Sequence, residues 1–222
     1  EKGVGIYATS GSTTNISNGT ISAENGSVAL YADKSTINIS GGNFVIGNAG
    51  LLFYNYPSAG TGRGSLYMTG SANATINSGG MAFYIEGGAS SNIATELSSL
   101  VGSSGSGNKL NITMNSGSNL IRWNAPTGGS INLSSISSLS SSIANVTVTG
   151  SNYNTLSINK GELVIDENVA LTGTGNAYNG VEMSQSKVTL ASGYNITGAL
   201  DGQIGIAQIN PGTLSDVSIT NN

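Results

Sequence analysis

The chain contains no cysteine and no histidine, and only 7 basic and 11 acidic residues among its 222. Without cysteine or histidine, the Ser-His-Asp triad, the Cys-His pair and the usual zinc ligand sets are excluded. A net charge of −4 argues against a nucleic-acid partner, whose phosphates demand a basic surface, and against a polybasic membrane patch. No apolar run approaches the roughly 20 residues of a membrane helix. Good helix formers such as Glu, Lys and Arg are scarce, which speaks against a helical protein. The lack of cysteine fits a secreted bacterial protein that crosses an oxidising periplasm, and also many cytosolic ones. No signal-peptide pattern is visible and the first residue is not Met, so the chain is expected to be a piece of a longer protein.

What is present is glycine (33 residues), with Ser, Asn and Thr at the polar positions and a repeat. Val4-Gly5-Ile6-Tyr7-Ala8 returns as Val28-Ala29-Leu30-Tyr31-Ala32, Leu51-Leu52-Phe53-Tyr54 and Met81-Ala82-Phe83-Tyr84. Weaker echoes begin at Leu120, Val181 and Ile204. Self-similarity at a period of about 20–50 residues marks a solenoid, propeller or array. Within each copy apolar residues alternate with others, the pattern of a strand with one buried face. Two further short strands follow, Thr14-Asn15-Ile16-Ser17 and Gly19-Thr20-Ile21-Ser22 in the first copy, parted by Gly, Asn and Ser corners. Three strands in about 23 residues are expected to form one rung of a parallel β-helix. A single rung cannot bury its own apolar face, so the rungs must stack. The expected fold is all-β: one solenoid unit over residues 1–222, interrupted by insertions at about 55–64, 90–107 and 133–144.

The insertions break the strand pattern in different ways. Residues 55–64 carry Pro57, several glycines and Arg63, as a surface corner does. Ile93, Leu97, Leu100 and Val101 fall at i, i+4, i+7 and i+8, one face of a short helix, with Ser90, Ser91 or Asn92 as caps. Ile136, Leu139 and Ile143, in a Ser-rich setting, suggest another helical turn or two.

The unit Gly3-Val4-Gly5-Ile6-Tyr7-Ala8, with Ser35-Thr36-Ile37-Asn38-Ile39-Ser40-Gly41-Gly42 and the next Tyr-bearing copy, resembles passenger regions of type V autotransporters, most of all the large fusobacterial adhesins. The resemblance covers residues 3–85 and recurs at 144–220, leaving the second and third insertions outside it. It implies a right-handed β-helix, an outer-membrane-anchored passenger at the bacterial cell surface, and attachment to a host protein or glycan or to another bacterium. A monomeric segment with no membrane insertion of its own is expected, and a structural spacer of the passenger stalk is the other reading.

Carboxylates for glycoside hydrolysis must converge across a sugar. Here they are scattered, and the adjacent Asp166 and Glu167 would point to opposite faces of a strand. A carbohydrate-active enzyme is therefore disfavoured, although Asp166 and Glu182 could meet across neighbouring rungs. Calcium-roll repeats do not occur, the Gly60–Gly64 stretch lacks the Lys-Ser/Thr of a phosphate loop, and neither catalytic residue, metal nor cofactor is expected. Many Asn-x-Ser/Thr triplets, at Asn15, Asn38, Asn73 and Asn111 among others, follow from composition. The sharpest feature is the tyrosine register. With Val4, Ile6 and Ala8 inward, Tyr7, Tyr31, Tyr54 and Tyr84 point outward and stack as an aromatic ladder, with Trp123 as its extension. The opposite phase would force the small Gly5, Ala29 and Ala82 to fill a core. The ladder offers a platform for sugar rings or protein side chains, or simply braces neighbouring rungs at ~0.2–1 kcal/mol per pair. Tyr56, Arg63, Arg122 and Trp123 complete the binding candidates, because Arg and aromatics are enriched at binding hot spots and solenoid insertions often form the binding face.

Overall fold

A computed structural model describes residues 2–55, 63–87, 93–171, 181–184 and 186–198. Among them the chain is mostly short strands, arranged three to a turn. The first rung is β1 (Val4–Ala8), β2 (Thr13–Ile16) and β3 (Thr20–Ala23); the second is β4 (Val28–Ala32), β5 (Thr36–Ile39) and β6 (Asn43–Ile46). The third is β7 (Leu51–Asn55), β8 (Ser65–Met68) and β9 (Ala72–Ile76). The fourth is β10 (Met81–Glu86), helix α1 (Ile93–Ser98), β11 (Val101–Ser103) and β12 (Leu110–Met114). The fifth is β13 (Asn119–Asn124), β14 (Ser130–Asn132), helices α2 (Leu133–Ile136) and α3 (Leu139–Ser142), and β15 (Val146–Gly150). Two more follow: β16 (Asn154–Asn159), β17 (Glu162–Ile165), β18 (Val169–Leu171), then β19 (Val181–Ser184), β20 (Lys187–Leu190), β21 (Ile196–Gly198). The echo expected at Ile204 lies outside the described residues.

Strands stack on their counterparts, in parallel and in register. The first strands of all rungs form one seven-stranded sheet, β1-β4-β7-β10-β13-β16-β19. The second strands split into β11-β8-β5-β2 and β14-β17-β20, and the third into β15-β12-β9-β6-β3 and β18-β21. The break on the second face falls between the fourth and fifth rungs, where the helical insertions leave and rejoin the stack. Helix formation at residues 93–98 matches the spacing of Ile93 and Leu97, both buried. Val101 is also buried but opens β11 instead of continuing the helix.

In-register stacking turns each sequence position into a column through the interior. Leu30, Phe53, Phe83, Ile121 and Leu156 are paired neighbours and all 0% exposed. On another wall Phe44 pairs with Ala74 and Ala74 with Ile112, so a large ring sits over a small residue, the interdigitation that dense packing requires. Polar columns also close on themselves. Asn38 Nδ2 donates to Asn15 Oδ1 at 3.0 Å, Asn111 to Asn73 at 3.4 Å and Asn115 to Asn77 at 2.8 Å. The triplet-bearing asparagines Asn15, Asn38, Asn73 and Asn111 thus occupy ladder positions.

The strict alternation expected of the first strand does not hold. Ala29 and Leu30 are consecutive and both buried, as are Leu52 and Phe53, Ala82 and Phe83, and Leu120 and Ile121. A regular pleat sends neighbours to opposite faces, so the strand kinks between them. The pairing carries the same mark. Val28 pairs with Leu51 and Leu30 with Phe53, while the residue between is skipped, and the skip recurs in the neighbouring pairs. Val4 is accordingly 47% exposed where an inward side chain was expected. The small Ala29 and Ala82 do line the core, yet the tyrosines still face out, because the kink permits both.

Truncating the central column tests this packing. Phe83→Ala is expected to lower stability by about 3–5 kcal/mol, read by chemical denaturation. A loss below about 1 kcal/mol would contradict a continuous packed interior at the fourth rung.

Candidate functional site

The tyrosines form the expected column. Tyr7 pairs with Tyr31, Tyr31 with Tyr54 and Tyr54 with Tyr84. Ring centroids lie 4.9, 5.2 and 5.1 Å apart at interplanar angles of 22°, 58° and 45°. Tyr7, at the first rung, is 54% exposed, and the other three are half-buried. Each ring therefore rests on its neighbour. Only the Tyr7–Tyr31 pair is stacked; the other two pairs are tilted.

The column continues differently from the expectation. Tyr84 pairs with Arg122, whereas Trp123 pairs with Ile85 on one side and Ile158 on the other and is 1% exposed. Neighbouring residues of a strand face opposite ways, so placing Arg122 outward places the indole in the core. Trp123 is thus a packing residue of the interior and does not extend the exposed tyrosine column as expected. Burial pushes the Tyr84 phenol above its ordinary value; the Glu86 carboxylate adds to this, and Arg122 opposes it. Asn124 donates to Glu86 and Asn159 donates to Asn124 at 2.6 Å, so a polar ladder runs beside Arg122.

The kink adds a second outward column that alternation concealed. Val4, Val28, Leu51 and Met81 are paired in sequence, with Val4 exposed and the other three half-buried. Three residues along each strand from the tyrosines, they complete an aliphatic and aromatic face over four rungs. At the fifth rung both columns turn polar: Tyr84 is followed by Arg122, and Met81 by Asn119, which is buried and accepts from Asn154 at 3.0 Å. The paired apolar residues at positions 29–30, 52–53 and 82–83 were the signal of this in the sequence.

The Arg63 side chain is largely buried and committed to contacts within the chain. It is 10% exposed and forms an ion pair with Glu96 of α1. Nη1 donates to Asn55 Oδ1 at 2.6 Å, and Nη2 to the Gly87 carbonyl at 2.9 Å. Asn55, 0% exposed, in turn donates to the Gly64 carbonyl at 2.8 Å. The planar fork thus ties the ends of β7 and β10 to the first helix, a task that suits guanidinium geometry. The backbone of Gly64 lies so close to the Ala32 carbonyl that a Cβ there would collide with it. Tyr56, with the rest of 56–62, lies outside the described residues.

The two helical insertions, distant in sequence, pack on each other through α1 and α3. Leu133, Ile136, Leu139 and Ile143 are buried beneath the second of them. Asp166, from the following rung, holds it in place. Its carboxylate accepts from the Ser134 amide at 3.0 Å, the Ser134 hydroxyl at 2.7 Å and Asn132 Nδ2 at 2.9 Å. Partial burial pushes this carboxyl up, but the hydrogen bonds from Ser134 and Asn132 outweigh it and hold it below its usual value. Among the described residues no group of three or more acidic, His or Cys side chains converges as metal ligands do, and no helix is long and apolar enough to cross a membrane.

No protein-family model matches the chain, and neither a curated protein nor a solved structure matches it.

Two measurements check the anchoring roles. Arg63→Ala leaves the partly buried Glu96 without its ion-pair partner and is expected to destabilise the protein by about 3–5 kcal/mol. Arg63→Lys should recover little of this, because an ammonium cannot reproduce the fork. Asp166 has a lowered pKa in the folded protein, so its contribution is present above the ordinary carboxylate pKa and lost as pH falls through the lower folded value. Denaturation curves taken from about pH 7 to about pH 2 should show Asp166→Asn flattening the acid loss seen in the unchanged protein.

Proposed function

We propose that this chain is a non-enzymatic segment of a bacterial surface adhesin, a single-stranded right-handed parallel β-helix that attaches to a protein partner through the outer face of its first sheet. The observation that carries the reading is the paired face itself: Tyr7, Tyr31, Tyr54 and Tyr84 beside Val4, Val28, Leu51 and Met81, ending abruptly in Arg122. Contiguous apolar surface with a polar border is characteristic of interaction sites. The in-register parallel rungs, the low charge and the resemblance of the tyrosine-bearing units to autotransporter passengers support the rest of the reading, including display at the cell surface.

A protein fits this face better than a glycan does. Sugar recognition by aromatics uses the open face of a ring, and here each ring is crowded by a neighbour 4.9–5.2 Å away. Half-buried rings set beside branched aliphatic side chains instead suit the mixed apolar surface of a protein. The bracing of Arg63 and the burial of Trp123 leave the insertions weaker as a protein-binding surface. The same stacking of rings also favours a second reading, in which the column only stiffens a stalk that carries a distant binding tip.

Binding of the purified chain to human epithelial and immune cells and to partner bacteria separates these readings. A Val4→Ser, Tyr7→Ser, Tyr31→Ser variant, shown folded by its circular dichroism, is expected to lose most of a saturable, protease-sensitive binding. Binding that resists protease treatment of the target but falls after glycan removal would point to a sugar ligand. Absence of binding by the folded chain would favour the stalk.

A further inference from the structure

The packing of α1 on α3 leaves a cleft of about 350 Å³ between the two insertions, within the size range of small-ligand sites. Its wall on one side is α1, with Ala94; on the other are β14, α2 and α3. The buried Ile131 and Leu139 form an apolar floor. Around them stand Ser130, Asn132, Ser135 and Ser138. No charged side chain lines the cleft among the described residues.

The polar groups are only partly committed. Asn132 gives Nδ2 to Asp166, and its Oδ1 takes part in no hydrogen bond with a described residue. Ser138 donates to the Ser135 carbonyl at 2.8 Å and keeps its lone pairs for an incoming donor. The hydroxyls of Ser130 and Ser135 make no hydrogen bond with any described residue. The Asp166 clamp holds Asn132 and the start of α2 in place, so the rim is fixed before a ligand arrives. Such preorganisation lowers the cost of binding.

We propose that this cleft binds a neutral sugar residue. A pyranose presents one apolar C–H patch, which the Ile131 and Leu139 floor complements. Its hydroxyls both donate and accept, as the amide and the three serine hydroxyls do. An ion or an acidic group would need an opposing charge that the lining lacks, and a purely apolar ligand would cover the Ser130 and Ser135 hydroxyls and Asn132 Oδ1 without offering them a partner. The site is independent of the tyrosine face, lying on the second wall of the stack and built from residues that face does not use.

The experiment uses the whole 222-residue chain, with glucose, galactose, N-acetylglucosamine and N-acetylgalactosamine as separate probes and N-acetylneuraminic acid as the charged comparison. Saturation-transfer NMR and calorimetry are expected to show saturable binding of at least one neutral sugar. Its affinity should change little with salt, since no ion pair contributes. Ser135→Trp, on an exposed helical position, fills the cleft and should weaken that binding at least about tenfold, with an unchanged circular dichroism spectrum. Asn132→Ala combined with Ser130→Ala should weaken it without filling space. The Val4→Ser, Tyr7→Ser, Tyr31→Ser variant should bind the sugar unchanged, so loss of cell attachment and loss of sugar binding are read separately. The proposal is overturned if no neutral sugar binds the folded chain, if only N-acetylneuraminic acid binds, or if both cleft variants bind as the unchanged protein does.

Discussion

Each described strand is too short and too one-sided to stand alone, and its ladder partners lie in the rungs above and below. The Asn43 amide donates to the Gly19 carbonyl at 2.9 Å, the Leu51 amide to Ser27 at 3.0 Å and the Met81 amide to Gly50 at 3.0 Å. Unmet backbone donors in a buried strand are costly, so register cannot drift from one rung to the next. From that constraint the columns follow. Phenylalanine meets phenylalanine, asparagine meets asparagine and tyrosine meets tyrosine because the backbone has aligned them. A weak preference at one position is thereby repeated along the axis.

The same constraint governs where variety enters. A strand cannot be lengthened or shifted without unpairing two neighbours, but a corner between strands is free of that demand. The helices accordingly leave from corners of the second face, and it is there that the sheet is broken. The uninterrupted first sheet keeps seven rungs aligned while the second face carries the cleft. The Arg63 fork and the Asp166 carboxylate do similar work at the two insertions. Each reaches from one rung to a helix that has no sheet partners and supplies by side chain what the ladder supplies elsewhere.

Much of this was legible in the residues. The recurring Tyr-bearing unit and its two companion strands foretold three short strands per turn, and the spacing of Ile93 and Leu97 foretold a helix. The tyrosine phase followed from alternation and held. What alternation missed came from the kink: Val4, Val28, Leu51 and Met81 turn outward because the chain bends after the first residue of the strand, and a period-2 reading has no place for two inward neighbours. Arg63 and Trp123 were misplaced for another reason. Residue type suggested surface contacts, but exposure depends on which residues lie opposite, and Ile85, Ile158 and Glu96 are remote in sequence. That the two insertions would meet was likewise a three-dimensional fact with no local signal.

Hydrogen-bonded partners in neighbouring rungs are 24 residues apart near the start of the chain and 38 apart where an insertion intervenes. Chain-closure entropy grows only with the logarithm of length, and a full doubling adds about 0.6 kcal/mol. The longer circuit therefore costs less than that, an amount one well-placed hydrogen bond offsets. Corners of this stack are in consequence cheap places for sequence drift to experiment. New segments can be gained, lost or exchanged there while the ladder beneath them stays the same.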